Sequence, residues 1–262
     1  MIIDVHGHIG NINMHPSWTS NAAEVSDTVK KSGVDLCIVS SGMSIMYDAC
    51  RGNKEVLDAV KKYDNLLGYI VVNPFYEETY KDLDYIGEEE KIVGCKIHPD
   101  YHGFDLSSPM GRKLIERVCN FSPLILIHTS CMTGTGFSTA KIICELALKH
   151  KNNYFISAHL GGLYQNPLYP YFINYSGIET IAEYNLDNLL VDTASYFIYV
   201  YLGVMQNIVS VLGTNKIVFG TDVPLQSSMQ IKFKIEAIDS LEIPKEEKAK
   251  MFYKNIKRII KL

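Results

Sequence analysis

The sequence predicts a single (β/α)8 barrel spanning residues 1–262. Three observations carry that expectation. Eight short, β-branched apolar runs recur along the chain, each followed by a longer helical pattern. The runs are apolar on both faces, as parallel strands covered on each side must be. Histidines, a lysine and an aspartate fall at the ends of these runs, where a barrel gathers its active site. A doubly wound open sheet is the alternative architecture.

The first run, Ile2–Val5, leads directly into His6, Gly7 and His8. Alternate strand residues face the same way, so the two imidazoles project together. Asn21–Lys31 reads as a helix with Gly33 at its C-terminal end, and Val34–Val39 is the second run. Asn53–Tyr63 turns Val56, Leu57 and Val60 to one face before the third run, Leu66–Val72. The fourth, Ile92–Ile97, carries Lys96 and ends at His98, with His102 beyond it. Helix Arg112–Cys119 precedes the fifth, Pro123–Ile127, which ends at His128. Ser138–His150 places Ile142, Ile143, Leu146 and Ala147 inward. The sixth, Tyr154–Ala158, ends at His159, and the Tyr-, Asn- and Pro-rich stretch Gly161–Ser176 reads as a substrate-facing loop. The seventh is Leu189–Asp192, followed by Tyr196–Tyr201, which is either a dimer surface or a buried wall. Helix Gly203–Leu212, the eighth run Lys216–Phe219, Asp222 and helix Gln230–Leu241 follow in turn. The run Lys254–Lys261 alternates with Ile and reads as an amphipathic closing helix.

Composition narrows the function classes. A formal charge of −4, with no basic stripe interleaved with aromatics, argues against nucleic-acid or anionic-membrane partners. No apolar stretch is long enough to span a bilayer, and the opening residues do not read as a signal peptide. The six cysteines form no CxxC pair, and several lie inside apolar runs. Together these predict a cytoplasmic protein acting on a small-molecule substrate, with a homodimer left open.

The chemistry rests on convergence. His6, His8, Lys96, His98, His128, His159 and Asp222 fall on five strand ends of one rim. Each has an ordinary reading alone. An HxH pair arises by chance, a single His is more often a satisfied core residue, and Asp222 could cap a helix before Pro224. His150 suits a helix C-terminus, and His15 a loop. Taken together, His6, His8, His128 and Asp222 form a three-His, one-Asp set suited to Zn²⁺, with Mn²⁺, Fe²⁺ or Co²⁺ as alternatives. Such an ion makes a bound water acidic enough to attack at neutral pH.

The segments Ile3-Asp4-Val5-His6-Gly7-His8, Gly94-Cys95-Lys96-Ile97-His98-Pro99, Ile127-His128-Thr129, Ala158-His159-Leu160-Gly161-Gly162 and Phe219-Gly220-Thr221-Asp222-Val223-Pro224 resemble the amidohydrolase superfamily. The likeness is greatest to its amidohydrolase-related, decarboxylase-containing branch. The resemblance implies metal binding by His6, His8, His128 and Asp222, with Asp222 as the acid–base residue. It implies that His159 is catalytic, either holding a second metal or polarising the substrate. Lys96 is either a carboxylated bridge between two ions or, with His98 and His102, a substrate-binding residue. One ion is favoured over two, because a bridge needs a modification unseen in sequence. The expected reaction is metal-dependent hydrolysis of a C–N or C–O bond. The alternative is non-oxidative decarboxylation of a small unsaturated or aromatic acid, with Lys96, His98 or Arg51 meeting the carboxylate. The chain's short length, against the larger decarboxylases of that branch, tips the expectation towards hydrolysis.

Overall fold

A computed structural model describes residues 1–11, 19–130, 136–165, 173–195 and 203–260. Eight parallel strands lie in one curled sheet in chain order: β1 (Ile3–Asn11), β2 (Leu36–Ser41), β3 (Leu66–Val71), β4 (Ile92–Ile97), β5 (Leu124–Ile127), β6 (Tyr154–Ser157), β7 (Leu189–Asp192) and β8 (Ile217–Val218). The first and last strands meet just above their ladders. Val5 donates its amide to Phe219 O, Asp222 to His6 O and His8 to Val223 O, at 2.9, 2.7 and 2.7 Å. This parallel seam brings the sheet round into the predicted barrel.

Two apolar layers follow from strand alternation. Ile3, Val5, Ile38, Leu67, Tyr69, Leu124, Leu126, Ile156, Leu190 and Val218 fill the barrel interior. Their neighbours Cys37, Val39, Ile70, Cys95, Ile125, Ile127, Phe155 and Val191 pack outward. The helices against that outer layer are α1 (Ala22–Ser32), α2 (Ala49–Lys62), α3 (Tyr85–Glu88), α4 (Pro109–Cys119), α5 (Ala140–Lys149), α6 (Ser176–Tyr184), α7 (Val204–Leu212) and α8 (Ser228–Asp239). The final helix, Asn255–Ile260, places Ile256 and Ile259 in the interior layer, so the closing helix stoppers the barrel.

Helix starts lie where side-chain caps put them. Asn21 with Glu24, and Ser227 with Gln230, form reciprocal capping boxes. Asp48 accepts from the Arg51 amide, so α2 begins four residues before the expected Asn53. Ser108 caps α4 with Pro109 at its first turn, again earlier than Arg112. His150 is the C-cap of α5, at the helix end where its dipole reading placed it.

Helix α6 was not anticipated. Its first residue falls at the end of the stretch read as loop, where Tyr164–Gln165 and Ile173–Asn174 pair antiparallel. Residues 166–172 of that stretch, His15, Cys131 and the run Tyr196–Tyr201 lie outside the described residues. Among the described residues, no helix is long and apolar enough to cross a membrane.

Candidate metal centre

One irregularity in β1 decides where the two histidines point. Asp4 pairs with Cys37 and Gly7 with Val39, so three steps on β1 oppose two on β2. Without that bulge, strict alternation from Ile3 and Val5 would carry the inward face to Gly7 and Ile9. Instead Ile9 lies in the outer layer, and His6 and His8 turn inward at the rim. Gly7 is pressed outward, where a β-carbon would stand 2.5 Å from Cys37 Sγ.

Across the seam, Asp222 holds φ at 63° and aims its carboxylate at both rings. Its Oδ1 lies 3.1 Å from His8 Nε2 and 3.6 Å from His6 Nε2. The far nitrogens of these rings are engaged: His6 Nδ1 donates to Asp192 Oδ2 at 2.8 Å, and His8 Nδ1 is hydrogen-bonded to Ser40 Oγ at 2.9 Å. A ring nitrogen held by an outer partner while the other faces a shared point is the usual arrangement of metal-bound imidazole.

His159 sits in a left-handed turn. His159, Leu160 and Gly161 have φ of 56°, 53° and 69°, and Gly162 continues at 83°. The turn packs so closely on the start of α6 that a β-carbon on Gly177 would stand 1.9 Å from Gly161 O. His159 Nδ1 donates to Ala194 O at 2.7 Å, and its amide donates to Asp192 Oδ1 at 2.8 Å. Asp192 therefore holds His6 and His159 at once. The strand-end rule that selected Asp222 would also have selected Asp192, at the end of the seventh run.

The remaining expected residues form a neighbouring group. His128 Nε2 meets Asp100 Oδ2 at 3.2 Å, and its Nδ1 lies 3.1 Å from His159 Nε2. Its ring stacks on His98 at 3.9 Å, and His98 stacks on Tyr101 at 4.2 Å. His98 Nδ1 accepts from the Tyr101 amide, capping the short helix Pro99–His102. His102 lies farther out, against the residues that follow β2. Lys96 is fully buried, and its Nζ donates to His6 Nε2 at 3.0 Å. Arg51 is exposed on the first turn of α2.

Electrostatics favour a cation at this point. Burial holds the pKa of His6 and His8 down, and pushes His128 down to about 4 despite Asp100. Burial would raise Asp222, but His6, His8 and His159 hold it well below the carboxylate range. Burial lowers Lys96 to about 8 against the pull of Asp222 and Asp192. With His159 donating through Nδ1 and neutral His128 donating to Asp100, their two other ring nitrogens face each other at 3.1 Å and can share a single proton at most. Bare nitrogens beside a carboxylate call for a proton or a metal ion between them. Among the described residues, two donor sets lie close enough to hold one: His6, His8 and Asp222, and His6, His159 and Asp192.

Outside the rim, buried ionic groups brace the seam. Asp4 accepts from the His6 amide, the Thr221 amide and the Thr221 hydroxyl at 3.0, 3.0 and 2.5 Å. Lys234 Nζ, on α8, donates to Thr193 O and Gly220 O at 2.9 and 3.2 Å. Both were missed in the sequence because they lie on the outward face of a strand and inside a helix.

A family model described as Amidohydrolase matches residues 45–262. The chain belongs to the amidohydrolase family. No curated protein matches the sequence. Among solved structures, the chain is similar to a 5-carboxyvanillate decarboxylase from Sphingomonas paucimobilis, with a TM-score of 0.72, 12% identity, and coverage of 100% of this chain and 99% of that one. A manganese-bound 5-carboxyvanillate decarboxylase from Novosphingobium aromaticivorans gives 0.73 and 16%, covering 100% and 96%. A 2,6-dihydroxybenzoate decarboxylase from Rhizobium gives 0.71 and 13%, covering 99% and 98%. The chain shares its fold with these three decarboxylases over nearly their whole length.

Proposed function

We propose that this amidohydrolase-family enzyme is a metal-dependent, non-oxidative decarboxylase of a small aromatic carboxylic acid. The observation that carries the reading is Lys96, a fully buried ammonium standing among the imidazoles and Asp222. A carboxylate substrate gains a fixed counter-charge there, which hydrolysis of a neutral amide or ester does not require. The solved neighbours that act on carboxyvanillate and dihydroxybenzoate support the same reading. Shortness of the chain had favoured hydrolysis, but the alignments span nearly the whole of those decarboxylases, so that ground falls away.

His6, His8 and Asp222 suit one divalent ion per chain, with manganese as eligible as zinc. His128, the fourth expected ligand, stands in the neighbouring group with its Nε2 on Asp100 and would have to turn from it to join them. When bound, the ion supplies a Lewis acid that anchors the oxygens of the acid. Lys96 meets the carboxylate, and the part-exposed ring of Tyr101, held by its stack on His98, offers a wall for the aromatic ring. The bond from ring to carboxylate carbon breaks, its electron pair stays on the ring carbon, and that carbon takes a proton. Asp222 and His159 are the groups placed to relay it, and either must first take up the proton that the reaction consumes. Carbon dioxide leaves, so atoms and charge balance with one proton consumed.

The test is incubation of manganese- or zinc-loaded enzyme with hydroxybenzoates labelled with ¹³C in the carboxyl group, beside a panel of amides and lactones. Labelled carbon dioxide with an equimolar decarboxylated arene is expected. Hydrolysis of an amide or lactone with no label released from any acid would overturn the proposal in favour of hydrolysis.

A further inference from the structure

Beside the metal centre, the segments that follow β2, β3 and β4 enclose a cavity of about 420 Å³. None of His6, His8, Lys96, His128, His159 or Asp222 lines it. Tyr101 is the link, since one ring both lines the cavity and stacks on His98.

Its walls have a definite chemistry. Tyr47, Tyr76 and Tyr101 line it and remain 50%, 52% and 39% exposed, and Phe75 joins them at 53%. Asp48 and Glu78 supply two carboxylates, and no lysine or arginine is among its described lining residues. Neither carboxylate has an ion-pair partner among the described residues. The local field is correspondingly negative. Burial first, then Asp82, Asp48 and Glu78, push the lining thiol of Cys50 up to about 11.

His102 supplies an independent sign of a missing ligand. It lines the cavity, it is 8% exposed, and both its ring nitrogens are buried without a hydrogen-bond partner. The carbonyls of Ile45 and Ser44 lie near enough to oppose the lowering of its pKa by burial, but make no well-formed hydrogen bond. A buried polar group without a partner costs about 1–3 kcal/mol and is rare in native proteins. A ligand that donates a hydrogen bond satisfies the bare nitrogen of this neutral ring.

We propose that this cavity is a binding site for a small organic cation, an alkyl- or arylammonium, distinct from the metal centre. Aromatic rings attract a cation through their faces, carboxylates neutralise it, and an ammonium N–H is the donor that the bare imidazole nitrogen lacks. The absence of basic lining makes the cavity a poor host for the carboxylate that Lys96 suits. The inference does not depend on the decarboxylase reading, and it concerns binding alone.

The experiment is calorimetric titration of the full-length, metal-loaded chain with 2-phenylethylamine, charged at pH 7, and with its neutral analogue 2-phenylethanol. The double substitution Asp48→Asn and Glu78→Gln removes both charges while keeping a side chain that can cap α2. Saturable binding of the amine is expected, at least tenfold tighter than the alcohol and weakened at least tenfold in the double variant. The His102 ring-proton resonance should shift on adding the amine. Equal binding of amine and alcohol, undiminished binding in the variant, or no binding at 10 mM amine overturns the proposal. Should the double variant unfold, Glu78→Gln alone decides it, because Glu78 sits on an exposed turn.

Discussion

Two rim side chains, on His159 and Asp222, spring from backbone in the left-handed region, at φ 56° and 63°. That conformation costs about 1–2 kcal/mol per residue, so the surrounding structure must hold it in place. Asp222 is held by the hydrogen bond its backbone amide donates to His6 O and by the Asp4–Thr221 contacts beside it. Asparagine tolerates the left-handed region and keeps the shape, so Asp222→Asn should fold normally. Its turnover should fall at least about a hundredfold, and activity near wild type would remove the acid–base role. The brace can be tested too. Lys234→Met leaves two carbonyls and Asp4 without their cation, and should lower unfolding free energy by about 3–5 kcal/mol in urea titration. A loss within 0.5 kcal/mol, the range of ordinary surface changes, would show that the buried lysine braces nothing.

At the scale of elements, the bulge in β1 and the left-handed turn after β6 do the positioning. Neither was legible in the sequence. The HxH spacing correctly suggested two imidazoles on one face, but the phase against Ile3 and Val5 needed an inserted residue that no local motif announces. Likewise Ala158–Gly162 reads as a strand end with two glycines, and only packing against Gly177 reveals the left-handed turn. Strand positions were legible because runs apolar on both faces leave few other structures open to them. Helix starts were less so, because Asp48 and Ser108 capped earlier than apolar spacing alone implied. The turn yields a direct test. At Gly161, φ is 69° and an added β-carbon would meet Ile181 Cδ1 at 2.8 Å. Gly161→Ala should therefore cost about 1–3 kcal/mol and lower metal affinity through His159, measured by thermal melts and zinc titration. A melt unchanged from wild type would show that the turn is not tightly specified.

Across the whole molecule, the barrel buries several histidines in neutral form, which ties stability to pH. Burial lowers His102 from 6.5 to about 4, and His128 likewise despite Asp100. Between these values the unfolded chain binds protons that the folded chain refuses. Their stabilisation is thus fully present above pH 6.5 and is lost as pH falls towards 4. Burial raises Asp100, but hydrogen bonds from His128, the Phe137 amide and Ser130 more than offset it and leave it at about 2. Its contribution is therefore present above its ordinary pKa near 4 and lost below it. The metal-free chain should melt at a lower temperature at pH 5 than at pH 7, and His102→Gln should flatten that slope by up to about 1.4 kcal/mol per pH unit. A melting temperature that does not change over this range would contradict the buried neutral rings. The family and barrel were legible because strand-end residues are dictated by chemistry. The substrate was not, because it depends on loop side chains brought together only by the fold, as the cavity beside His102 shows.

The most direct test of the metal centre is metal content by mass spectrometry on chain purified without chelators, wild type beside His8→Ala. One equivalent of manganese or zinc per chain, lost in the variant, is the predicted result. No metal in either protein, even after reconstitution with both ions, would contradict the account at its centre.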